Sequence, residues 1–309
     1  MKAERNLTDY FWIGLKGFAM GAANVIPGVS GGTIALITGI YEEFLMTLKS
    51  INLKAFKLFF TFQWTALAAH INIKFLASIL IGTTVSLFTI AKLFKYLFAS
   101  HPIQIWAFFF GLILASVYFI GKTVSKWNVA SFAFLLLGAT IAIGISFLEP
   151  ASENTHWLYI LICGVVGISG MMLPGLSGSF ILILMGNYEL LMVKAIANLN
   201  LWHIVLFGAG SIAGLMVFSH ILTWILHRYK DITIALLTGF VFGSLNIIWP
   251  WKEIAAYQTK ANGDIVPIKY DKFFPTEFDS YTLLAFGIMI SGIVSIWMIE
   301  YLANRNKKI

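Results

Sequence analysis

The chain has 309 residues, of which 59% are apolar and only 11% charged, and its formal net charge is +7. A soluble domain carries about a quarter charged residues, so a water-covered globule is excluded and a membrane protein is indicated. The basic residues gather at the ends of apolar segments, which is the lysine bias of membrane loops and excludes a nucleic-acid partner.

In chain order, the first residues, MKAERNLTDYFWIGLKG, lack a short apolar core followed by a cleavage site and do not read as a signal peptide. They lead into a segment broken by Pro27-Gly28-Val29-Ser30-Gly31. Its limbs are about 15 residues, roughly 22 Å as a helix, which is short for a ~30 Å hydrocarbon core. A re-entrant hairpin over 12–47 is therefore expected. An amphipathic stretch at 51–60 follows, then spans near 75–98, 103–121 and 130–148. A second hairpin over 157–190 carries Pro174-Gly175-Leu176-Ser177-Gly178. A second amphipathic stretch at 191–200 leads to spans near 203–226, 232–249 and 281–301, with a polar loop over 251–280.

The halves, 1–149 and 150–309, are copies of one plan. At one constant offset, Pro27, Gly28, Ser30, Gly31, Gly39, Tyr41 and Glu42 match Pro174, Gly175, Ser177, Gly178, Gly186, Tyr188 and Glu189. Repetition of such a specific pattern is the sequence sign of a transporter scaffold. Charge settles which segments cross. With both hairpins re-entrant and the N-terminus inside, fourteen of the 21 lysines and arginines fall inside; with both spanning, ten do. The re-entrant arrangement gives each half three crossings. An odd number inverts the second half relative to the first, and the two tips approach the midplane from opposite faces. The fold class expected is an all-α polytopic membrane protein of two inverted repeats, with both termini cytoplasmic.

A helix broken inside a membrane frees backbone groups that hydrocarbon cannot satisfy. At the tips, small residues let a ligand approach the backbone, and the following limb aims its N-terminus there. Ser30, Gly31, Gly32, Thr33, Ser177, Gly178 and Ser179, with Pro27, Gly28, Pro174, Gly175 and the nearby Asn24, make a candidate anion site, phosphate above all. The bland alternative is a turn that packs one hairpin on the other, which explains the glycines well and the serines poorly. Glu42 and Glu189 are candidates for proton or cation coupling, or else interfacial anchors. Lys16 is the one basic residue within a hairpin and a candidate headgroup contact, although snorkelling suits its position better. Tyr41 and Tyr188 read as aromatic-belt residues, and His220 and Asn246 as helix contacts. The only cysteine, Cys163, excludes a disulfide framework. With three arginines at span ends or termini and no clustered histidines or paired aspartates, neither metal nor cofactor nor intramembrane catalysis is expected.

The two copies of PG-[VL]-SG, each trailed by G-x-Y-E and the first preceded by GAANVI, resemble the family known as domain of unknown function 368. The likeness runs from about residue 10 to 305. That family includes the PopT-type undecaprenyl-phosphate translocases, so the resemblance implies a flippase of the bacterial cytoplasmic membrane. Its substrate would be a polyprenyl monophosphate returned from the outer to the inner leaflet for wall-precursor recycling. A secondary transporter of a small anion or ion would use the same hairpins and is the alternative.

Overall fold

A computed structural model describes residues 5–24, 29–259 and 265–305. The first hairpin consists of α1 (Leu7–Asn24), α2 (Gly31–Ile37) and α3 (Tyr41–Lys49). Amphipathic α4 (Leu53–Phe60) and a short α5 (Trp64–His70) follow. Three long helices complete the first half: α6 (Ile73–Ser100), α7 (Pro102–Gly121) and α8 (Val129–Ser146). The second half opens with α9 (Trp157–Met172) and α10 (Gly178–Leu184), then a π-helical turn at Leu190–Lys194 and α11 (Ala195–Ala197). It closes with α12 (Leu201–Arg228), α13 (Lys230–Ser244), an antiparallel hairpin of β1 (Lys252–Thr259) and β2 (Ile265–Lys272), and α14 (Ser280–Arg305).

Among the described residues, α6, α7, α8, α12 and α14 are long and apolar enough to cross a membrane. The chain is a multi-pass, all-helical membrane protein with one small sheet. Its apolar side chains face outward as well as inward: Phe88, Leu136, Val217 and Trp297 are all exposed. Such surface is stable in lipid and unstable in water. The fifth expected span, 232–249, is shorter than the sequence suggests, because α13 ends at Ser244 and turns follow. Ten of its fifteen residues are buried, the mark of a helix surrounded by protein rather than lipid. The stretch read as a polar loop, 251–280, contains the β-hairpin.

Both broken segments fold back on themselves. In the first, Gly31 lies against Asn24, Lys16 donates to the Thr38 carbonyl at 2.9 Å, and Arg5 grips Glu43 at 2.7 Å. The chain thus leaves this hairpin at the end where it entered. In the second, Gly178 lies against Gly167 and Met171, and the Tyr159 hydroxyl donates to the Met185 carbonyl at 2.9 Å. Asn187, wholly buried, exchanges bonds of 2.8 and 2.9 Å with the Asn154 backbone. The return limbs differ from the single long helix expected. Each is cut a second time, at Gly39 with φ 71° and Gly186 with φ 72°, a backbone region that glycine enters without steric cost.

Glycines set the helix pairs. α1 and α6 run parallel, with Gly17 against Ile79 and Gly21 against Thr83; α9 and α12 do the same, with Gly210 against Leu161 and Gly214 against Val165. Two further parallel pairs join the halves. α7 packs on α14, where a Cβ at Gly111 would overlap the Met289 carbonyl and one at Gly292 the Phe108 carbonyl. α8 packs on α13, where Gly239 and Gly138 face the carbonyls of Leu135 and Leu236 in the same manner. Small residues permit this backbone approach, which drives association where the hydrophobic effect does not act between helices.

Candidate functional site

The two tips meet. The Thr33 hydroxyl accepts a 2.8 Å bond from the Gly175 N–H, and the Tyr41 hydroxyl donates to the Met172 carbonyl at 2.9 Å. The Ser30 hydroxyl reaches the Met171 carbonyl at 3.4 Å, and Gly32 lies close to the Met172 carbonyl. Met171 and Met172 end α9, so their carbonyls are among those a helix terminus leaves unpaired. Side chains of the first hairpin thus supply bonds to the broken backbone of the second. Water is not needed for this: Ser30, Thr33 and Tyr41 are at most 2% exposed and Ser177 7%.

The tips are not equivalent as donors. In the first, Asn24 Oδ1 accepts from Gly31 N at 2.7 Å and Ser30 Oγ accepts from Gly32 N at 3.1 Å. Thr33 N bonds the Ser30 carbonyl at 2.9 Å. The amides of Gly31, Gly32 and Thr33 are therefore held by the tip's own side chains and turn. In the second tip, Ser177 makes no side-chain cap, and its hydroxyl lies 2.7 Å from that of Ser179. Pro174, Gly175, Ser177 and Gly178 are buried there and Ser179 is half-buried. α13 forms the wall behind, with Gly175 (φ 81°) against the Phe240 carbonyl. Pro27 and Gly28 lie outside the described residues.

The remaining candidates sit away from the tips. Lys16 bonds the last turn of α2, at the base of the first hairpin. Glu42 is 48% exposed, with its carboxylate 3.4 Å from His227 Nε2 at the end of α12; Glu189 lies 3.7 Å from Lys194. Neither carboxylate is at the hairpin tip. Tyr188 is surface-exposed, as an interfacial ring should be, but Tyr41 is not. The break at Gly39 turns α3 inward and carries the Tyr41 ring into the core. His220 bonds its own helix at Met216 (2.7 Å), and Asn246 bonds Ser146 (2.6 Å).

Residues 20–266, which include both tips, match the model of a family described as undecaprenyl phosphate translocase-like. The chain belongs to that family. It is 40% identical to the polyprenyl-phosphate transporter of Vibrio cholerae over 303 residues, 96% of this chain and 98% of the relative. It is 33% identical to the polyprenyl-phosphate transporter of Staphylococcus aureus over 262 residues, 79% and 88% of the respective chains. No solved structure gives a significant match. Hydrogen bonds from Thr33 and Tyr41 of the first half join its tip to the backbone of the second.

Proposed function

We propose that this chain is a carrier, not an enzyme, that returns a polyprenyl monophosphate from the outer to the inner leaflet of the bacterial cytoplasmic membrane. The observation that carries the reading is the joined pair of tips in a member of a translocase-like family. The relatives' names supply the substrate class. The hairpins supply a polar place, walled by helices, for an anionic head whose tail stays in lipid.

In this reading the second half is inserted upside down relative to the first, and both termini are cytoplasmic. Three things support it: the charge distribution, hairpins that leave where they enter, and parallel α7–α14 and α8–α13 pairs. The headgroup is taken at the second tip by the hydroxyls of Ser177 and Ser179 and the amides beside them. The first tip contributes mainly by covering it through Thr33 and Tyr41. A phosphate can replace the bonds that the first tip gives the second, so that parting of the tips leaves the second tip's backbone paired. Lys16 serves the hairpin and not the head. An inside-negative potential opposes inward movement of an anion by ~2.3 kcal/mol per charge per 100 mV. Proton or cation entry would offset this. Glu42, 3.4 Å from His227 Nε2, is the first carboxylate to test for coupling, ahead of Glu189.

The deciding experiment is flipping of labelled polyprenyl phosphate in proteoliposomes, compared with uptake of inorganic phosphate. Wild type is expected to flip the lipid and not to admit the tail-free ion, and the S177A/S179A variant to lose flipping. Uptake of free phosphate without lipid movement would favour the small-anion transporter. Normal flipping by the variant would remove the serines from the site.

A further inference from the structure

The β-hairpin between α13 and α14 places two lysines face to face. Lys252 and Lys272 are directly opposed across the antiparallel strands, and the next opposed pair, Glu253 and Asp271, points to the other face. Like charges directly opposite each other are destabilising. Exchanging one lysine with one acid would have given two opposite-charge pairs instead. Among the described residues, neither lysine has an acidic partner within salt-bridge distance.

The two ammonium groups are nonetheless held. Lys252 Nζ donates to the Ile247 carbonyl at 2.8 Å and lies 3.7 Å from the centre of the Trp106 ring on α7. Lys272 Nζ donates to Asn246 Oδ1 at 2.6 Å, and Asn246 is anchored in turn on Ser146 of α8. An ammonium has three donors, so each keeps capacity for a ligand. Burial, and then the charge of Lys272, push the Lys252 amine down to about 7. The strands beneath are fixed: Trp251 is 3% exposed, clustered with Ala107 of α7 and Ala285 of α14, and the Phe273 N–H bonds the Trp251 carbonyl at 3.1 Å.

Position matters as much as charge. Ile247 lies seven residues beyond Phe240, the residue against which Gly175 packs. That places the lysines roughly 10 Å from the second tip along the α13 direction. They sit at the end of α8 that leads into the linker 149–156, the face from which the second hairpin enters. In the orientation proposed above this is the outer face, where lysines are disfavoured. The exposed rings and chains beside them, Phe147, Leu148 and Phe274, suit a lipid tail.

We propose that Lys252 and Lys272 form an outer receiving site for a phosphate monoester, the first station of the headgroup on its way to the hairpin tips. A group carrying −1.5 to −2 charge answers two lysines that have no acidic partner within salt-bridge distance among the described residues. The inference rests on the transport direction given above.

The test uses the full-length chain in nanodiscs, with farnesyl phosphate, farnesol and inorganic phosphate as probes. Wild type is expected to bind farnesyl phosphate, and K252Q/K272Q to bind it about ten- to hundred-fold more weakly. K252R/K272R should stay close to wild type, which separates charge from folding. Farnesol should not distinguish the variants. Competition by inorganic phosphate would show that the head alone is recognised; its failure to compete would assign the site to lipid-borne phosphate. Flipping is measured on the same preparations. Loss of binding in the glutamine pair, without flipping even in wild type, would keep the site and remove the transport reading. Wild-type binding and flipping in the glutamine pair would overturn the site and leave transport standing.

Discussion

Thr33→Val tests whether the joined tips are a closed gate. The substitution keeps the shape of the side chain and removes the hydroxyl that accepts from Gly175 N. Thr33 is wholly buried, so the Gly175 amide would be left without a partner while the tips stay joined. An unsatisfied buried donor costs about 1–3 kcal/mol. The parted state does not suffer this loss, since there the amide meets water or ligand. The equilibrium therefore shifts toward parting by about 5- to 150-fold. A cysteine at Val29, itself 1% exposed beside the first tip, reports parting through its alkylation rate, with Cys163→Ser removing the native thiol. The alkylation rate of V29C is expected to rise by that factor in T33V. It should rise further in T33V/Y41F, because Tyr41 holds the neighbouring Met172 carbonyl independently. An alkylation rate unchanged within about two-fold in the double variant would refute the gate.

Glycine positions give a second test. Gly111→Ala and Gly239→Ala each push a methyl into a facing carbonyl and should lower the thermal midpoint by the equivalent of about 1–3 kcal/mol. Gly144→Ala, with nothing within 4 Å, should raise stability by up to about 1 kcal/mol through helix propensity, read in the same melts. A third test uses pH. Lys252 is charged below its value of about 7 and neutral above it, so farnesyl phosphate affinity should fall between pH 6 and 8. Lys272 and Tyr270 face it, Glu253 and Asp271 lie on the other strand face, and a K252R variant should flatten the profile because arginine stays charged. Finally, wild-type flipping should respond to an imposed proton gradient and E42Q should not. E43Q, which breaks the Arg5 and Asn72 bonds, should lower the melting temperature without removing that response.

Sequence patterns reveal the breaks and the spans more readily than what the breaks bond. PGxSG marks a helix interruption because proline and glycine act locally, and the following limbs are short by simple counting. The second cut at Gly39 and Gly186 was visible as G-x-Y-E, but its meaning is a backbone angle. Without that angle Tyr41 falls at the interface, and with it the ring enters the core. Asn24 was legible as a tip residue. That it fills the tip's own amide, and so makes the two halves unequal, depends on a distance that no motif encodes; its counterpart in the repeat is Met171, already a hint of inequality. Residues 245–249 are apolar enough to extend a span, yet hydropathy does not register where a helix gives way to turns. The opposed lysines of 251–280 became apparent only through strand register.

The pairing of α7 with α14 and α8 with α13 crosses the duplication, while α1–α6 and α9–α12 stay within their own copies. The molecule is thus partitioned into a woven central frame and two arms, not into its two sequence halves. The first arm runs into the frame at His101 (φ −139°, ψ 55°); the second is tied to it by the linker 147–156 and at Tyr229 (φ −133°, ψ 55°), whose angles nearly repeat those of His101. Halves knitted in this way cannot rock apart as rigid blocks without unpicking four helices. A motion that keeps those four helices packed would have to be taken up by the arms and the tips they carry.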